Sequence, residues 1–137
     1  MRVILDTNIV VSAFLSPNGK PAVILGLVLS RSVEICINAA ILSEYIEVLS
    51  RSKFTGKIHR SAIIRFFEIV RSFGFVVSTF ISGIDMPDEA DRKFYDAAVS
   101  ANALLVTGNK KHYPCKSFVC DPGEFLFQYQ LRLNAKP

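Results

Sequence analysis

Hydrophobic and polar positions fall into short blocks of two kinds along this chain. Val3-Ile4-Leu5, Val33 to Ile37, Val76-Val77, Leu104-Leu105-Val106 and Phe118-Val119-Cys120 are short β-rich runs, too brief for buried helices. Between them, the stretches at about 21–31, 39–50, 59–73, 89–101 and 122–133 repeat their apolar residues at helical spacing. Strands separated by helices of this length predict a parallel sheet covered on both faces. Val3-Ile4-Leu5 has no polar alternation, as expected of a strand buried on both sides. The punctuation agrees. Ser16-Pro17-Asn18-Gly19 reads as a turn, and Pro21 suits the first position of the helix that follows. Asp121-Pro122-Gly123-Glu124 supplies a cap, a first-turn proline and an acid three residues after the cap, which predicts the start of the last helix.

Length and composition narrow the class. The 137 residues make one domain, residues 1–137, large enough to bury a core without covalent staples. Half of them are hydrophobic and a fifth are charged, as in globular proteins. No apolar run approaches the roughly 18 residues of a membrane span, so no membrane association is expected. Asp6 and Asn8 interrupt the apolar N-terminus and no small-residue cleavage site follows, which argues against a signal peptide. Cys36, Cys115 and Cys120 are odd in number and lack C-x-x-C spacing, so a reducing, cytoplasmic setting is expected. His112, Cys115 and Cys120 are not read as a zinc site, because a fourth ligand is wanting apart from Asp121.

The formal charge is +4 and its distribution is uneven. Arg51, Lys53, Lys57, Arg60, Arg65 and Arg71 face a single acid, Glu68, within residues 51–71. Lys110 and Lys111 form a second basic focus. A solvated basic face explains such runs equally well, but with acids gathered elsewhere they suit a polyanion.

The acids carry the chemistry. Asp6 ends the first strand, at the edge where open α/β sheets collect ligands. Taken alone it is ordinarily a helix cap or turn residue. On the helix near 39–50, Ile41, Leu42, Tyr45, Ile46, Val48 and Leu49 form the expected buried stripe, with Glu44 at its border and Glu47 nearly opposite. An acid at a core border needs a cation or donors to stay ionised, so Glu44 is the functional candidate and Glu47 the surface residue. Asp88 and Asp91 fit an N-cap and third position ahead of a face made by Ala90, Phe94, Ala97, Ala98 and Ala101. Asp96 falls away from Asp91 on this spacing and reads as a surface acid. Leu104-Leu105-Val106-Thr107-Gly108-Asn109 repeats the opening pattern, a buried strand ending in side-chain oxygens.

Neither Gly-rich phosphate-loop pattern is present, and Ser12 and Ser43 lack the base partners of a nucleophile triad. His59 and His112 lie in basic loops. Hard oxygen ligands with basic flanks suit Mg²⁺ or Mn²⁺ acting on a phosphodiester.

With those residues in view, the chain resembles the PIN domain family, in particular the small prokaryotic PIN proteins of toxin–antitoxin pairs. The resemblance rests on Val3 to Asn8, Leu42 to Leu49, Asp88 to Ala98 and Leu105 to Asn109, in that order and with an 18-residue step from Asp91 to Asn109. It implies a three-layer α/β/α sandwich with a central, mainly parallel sheet. It also implies an endoribonuclease that cuts single-stranded RNA with metal-activated water. Asp6, Glu44 and Asp91 match the family's first three acids and would be catalytic and metal-ligating. The fourth acid is usually Asp; here it is Asn109, a candidate metal ligand that keeps an oxygen and loses a charge, so lower metal affinity is expected and the number of ions stays open. Asp96 is a further candidate ligand if the helix brings it closer. Thr7, Asn8, Ser12 and Thr107 would orient the acids or the water. Lys110, Lys111, Arg51 and Lys53 would contact RNA. An antitoxin protein and a homodimer are the implied partners. The alternative is a catalytically weak PIN-like module that binds RNA or a partner.

Overall fold

The computed structural model describes residues 1–136. In chain order the elements are β1 (Arg2–Leu5), α1 (Thr7–Leu15), α2 (Lys20–Leu29), β2 (Glu34–Ile37), α3 (Ala39–Leu49), α4 (Arg60–Phe73), β3 (Phe75–Val76), α5 (Arg92–Ala101), β4 (Leu104–Val106), β5 (Val119–Cys120) and α6 (Pro122–Ala135). Among the described residues, all strand pairs are parallel and the sheet order is β3-β2-β1-β4-β5. The chain moves outward from β1 to β3, then returns past its start to β4. Right-handed crossovers running in opposite directions place helices on opposite faces of a sheet. Accordingly α5 packs on β1, β2 and β4, while α2 packs with α1, α4 and α6. The result is an α/β/α sandwich.

The strand order reverses between β1 and β4, and register fixes what emerges there. Val3 sits opposite Leu104 and Leu5 opposite Val106, so Asp6 and Thr107 leave the sheet side by side. The Asp6 amide donates to the Val106 carbonyl at 3.0 Å, and the Thr107 amide to Cys120 at 3.0 Å, so the ladder extends to the edge of the crevice. Val3, Ile4, Leu5, Leu105 and Val106 are completely buried, as a strand covered on both faces requires.

Two sequence expectations change, and one further helix forms. The apolar segment Ile9 to Leu15 is helical, as part of α1, although it shows no amphipathic period; Ile9, Val10 and Ala13 are buried and the helix packs on α2 and α3. The helix expected over 89–101 opens with a short 3₁₀ turn, Glu89–Asp91, before α5, and Ala90 is exposed there. On α3 the buried stripe is narrower than its apolar positions suggest: Ile41, Tyr45 and Leu49 are buried but Ile46 is exposed. The last helix begins as expected, with Asp121 and Glu124 completing a reciprocal capping box. No single helix among the described residues is long and apolar enough to cross a membrane.

Candidate functional site

Asp6 occupies the N-cap position of α1 with extended backbone, yet its side chain caps nothing. Its Oδ2 accepts instead from Thr107 Oγ1 at 2.9 Å and from the Tyr113 hydroxyl at 2.8 Å. The ordinary cap reading therefore fails at this residue. Burial pushes the Asp6 carboxyl above its usual range, the Tyr113 and Thr107 hydrogen bonds pull against that, and the nearby Glu44 charge adds to the rise. Thr107 is itself fully buried and accepts from the Asn109 amide at 3.1 Å, so the β4 edge is tied through one hydroxyl to the β1 acid.

α3 brings Glu44 to the same place. The N-cap Asn38 accepts from the Ile41 amide at 2.9 Å and starts the helix. The buried Tyr45 hydroxyl donates to the Leu5 carbonyl at 2.5 Å, which locks the helix against the end of β1. One residue earlier, Glu44 Oε2 accepts from Thr7 Oγ1, while Oε1 meets Lys93 Nζ at 2.7 Å. The Glu44 and Lys93 side chains are only 27% and 24% exposed, so this contact is well shielded from solvent.

Asp91 completes the convergence. Its carboxyl is pushed up to about 6, first by burial, then by the Asp6 and Asp88 charges, with His112 opposing and Glu44 adding. Its Oδ2 is buried and lacks a hydrogen-bond donor; the nearest cationic candidate, His112 Nδ1, stands at 3.3 Å. Asp88 caps the preceding turn by accepting from the Ala90 amide at 3.0 Å. One ligand atom each from Asp88, Asp91 and His112 lie within 4.8 Å of one another. An orphaned buried carboxylate oxygen among mutually repelling acids is a donor set that a hard divalent cation would satisfy.

The remaining candidates divide. Asn8 Oδ1 accepts from the Gly108 amide at 3.1 Å and so ties α1 to the turn after β4. The Asn109 amide nitrogen meets His112 Nε2 at 2.9 Å, so this residue acts on the imidazole. Ser12 makes no side-chain hydrogen bond among the described residues. Asp96 corrects the sequence reading: it is 96% buried, because α5 carries it inward rather than to the surface. It neighbours Arg92 and Tyr95, and its Oδ1 has no partner.

The profile of the PIN domain family matches residues 2–111. The chain belongs to the PIN domain family. An uncharacterized protein of Methanocaldococcus jannaschii is 29% identical over 113 residues, covering 80% of this chain and 72% of its own. The fold is also similar to a chain of VapBC2 from Rickettsia felis, solved bound to a DNA fragment from their promoter. There the TM-score is 0.54 at 22% identity, over 83% of this chain and 94% of that one.

In this PIN domain three residues escaped the sequence reading. Tyr113 lay in a stretch read as basic loop, yet it is buried and donates to Asp6. A buried tyrosine hydroxyl needs a polar partner, but nothing local shows which tyrosines are buried. Lys93 carries no local signal on its helix, and His112 reads as a loop histidine. Of the basic candidates, Arg51 pairs with Glu47 and Lys110 with Glu124, both at 2.9 Å and exposed. Lys53 lies over the Phe54 ring, and Lys111 is exposed.

Proposed function

We propose that this PIN domain is a divalent-metal-dependent endoribonuclease that cleaves single-stranded RNA, and that it is the toxin of a toxin–antitoxin pair. One observation carries the reading. Asp91, with an unpartnered buried oxygen, lies at the sheet's switch point within the reach of the Asp6 and Glu44 charges, and burial first, then the Asp6 and Asp88 charges, push its carboxyl up to about 6.

Asp6, Glu44 and Asp91 are the residues that would hold Mg²⁺ or Mn²⁺. A bound ion of this kind acidifies a coordinated water and offsets charge developing at the phosphodiester. The chain's own residues do the rest. Thr107 and Tyr113 both engage Asp6 Oδ2, which fixes the carboxylate and favours its ionised form. Thr7 fixes Glu44 through Oε2. Lys93 offsets one charge of the acid cluster by pairing with Glu44. Lys111, exposed next to the β4 edge, would attract the anionic RNA backbone, whereas Lys110 is paired with Glu124. The likeness to a chain of VapBC2 supports an antitoxin partner, and self-association to a homodimer is part of the same proposal.

The second reading, a catalytically weak module that binds RNA or a partner, draws on Asn109 and on Lys93. An ammonium already neutralises Glu44, and the fourth position carries no charge. Titrating Mn²⁺ against single-stranded RNA separates the two. Cleavage into shorter products supports the nuclease. Retention of intact RNA at every Mn²⁺ concentration supports the binding module.

A further inference from the structure

We propose that His112 is a nitrogen ligand of the cation held by Asp91, with Asn109 as the residue that orients its ring. This inference rests on the metal-dependent reading above and goes further by naming a donor that makes the site prefer Mn²⁺ to Mg²⁺.

The geometry starts from the turn that follows β4. Lys110–His112 forms one short 3₁₀ turn, closed by the His112 amide donating to the Asn109 carbonyl at 3.1 Å. That turn folds the imidazole back over Asn109, whose side-chain nitrogen meets Nε2 at 2.9 Å. With Nε2 engaged, the ring has one way to face the acids, and Nδ1 stands 3.3 Å from Asp91 Oδ2. Two ligands on neighbouring vertices of an octahedron with bonds of about 2.1 Å lie roughly 3 Å apart, so the pair is already near the spacing of a shared ion. Asp91 Oδ2 is buried without a donor, and Asp88 offers a third ligand atom within 4.8 Å.

Asn109 is suited to this role by its amide. A ligating histidine holds its other ring nitrogen in a hydrogen bond, which fixes tautomer and orientation. Placed with its nitrogen toward Nε2, the Asn109 amide suits an imidazole that carries no proton on Nε2. With Nδ1 given to a cation, the proton sits on Nε2, and the same amide turns its oxygen to accept it. A carboxylate could serve only the second arrangement. The loss of charge at this position is thus matched by a nitrogen donor three residues on. Mg²⁺ dehydrates reluctantly and keeps to oxygen, whereas Mn²⁺, at the weak end of the transition-metal series, still accepts a nitrogen donor.

The test is pulsed EPR of the full chain loaded with Mn²⁺, read for imidazole-nitrogen modulation, alongside calorimetric titrations with Mn²⁺ and with Mg²⁺. The parent should show the modulation and bind Mn²⁺ more tightly than Mg²⁺. His112→Gln should lose the modulation and at least about tenfold in Mn²⁺ affinity, with Mg²⁺ affinity changed far less. Asn109→Ala should keep His112 but weaken the modulation. His112 is half exposed, so both variants should retain the parent's circular dichroism. Mn²⁺ bound by the parent without imidazole modulation, or modulation that survives His112→Gln and so comes from His59, would overturn the inference and leave the carboxylate site standing. A parent that binds no Mn²⁺ would overturn the metal reading itself.

Discussion

Asp91, like Asp6, is an acid whose ionisation opposes folding. Its carboxyl is raised from 3.8 to about 6 on folding, chiefly by burial and then by Asp6 and Asp88. An acid raised in the folded state favours folding below its unfolded pKa and loses that contribution as pH rises through the folded value. The window is therefore about pH 4 to 6. In the presence of a chelator, Asp91→Asn should be more stable than the parent at pH 7.5, with the gap closing as pH falls toward 4. Urea unfolding across that range measures it, and a gap independent of pH would show that Asp91 is not the strained acid. Tyr113→Phe removes a donor from Asp6 and should lower stability by about 1–3 kcal/mol while weakening Mn²⁺ binding in calorimetry. Unchanged Mn²⁺ affinity would remove Tyr113 from the site. Asp6, Glu44 and Asp91 could be singled out from sequence because a strand end, a core border and a helix start are local patterns. Tyr113, Lys93 and His112 could not, because their partners lie on other elements.

At the scale of elements, the helix periods located α2 to α6 to within a few residues, and the strand runs located every strand. Two failures have physical causes. α1 is hydrophobic on nearly every side, so it carries no period to detect. Asp96 is buried with Phe94, Tyr95, Ala97 and Ala98 on α5, which packs on β1, β2 and β4, and Arg92, one turn earlier, fastens the segment before α5 through Ser82 Oγ at 3.2 Å and the Ile84 carbonyl at 2.6 Å. That packing depends on residues far from α5 in the helical pattern. Arg92→Met should free this segment, seen as faster amide exchange over residues 82–86; unchanged exchange would show that Arg92 does not hold it. The end of α4 is a second tight joint. A Cβ at Gly74 would run into the Val70 carbonyl and lie 3.1 Å from Ile37 Cδ1, where α4 turns onto the sheet. Gly74→Ala should lower the urea midpoint by an amount corresponding to roughly 1–3 kcal/mol. A variant as stable as the parent would show that the turn relaxes freely.

The whole molecule is a parallel sheet whose topology presents polar side chains at one switch point. That much was legible from alternating strand and helix signals, and the profile match over residues 2–111 agrees. The basic surface was less legible: Arg51 and Lys110, two of the four residues assigned to RNA, spend their charge on Glu47 and Glu124. Sequence counts charges but not the pairs they form. Any ion held by the folded state alone stabilises it by mass action, about 2.7 kcal/mol at a concentration one hundred times Kd. The most direct measurement of the central claim is cleavage of a single-stranded RNA by the parent and by Asp6→Asn, each with Mn²⁺ and with chelator. The parent should cut only with Mn²⁺, and the variant, folded by circular dichroism, should not cut. Equal cleavage by both chains, or parent cleavage that persists in chelator, would contradict the assignment of Asp6 and of the metal it would hold.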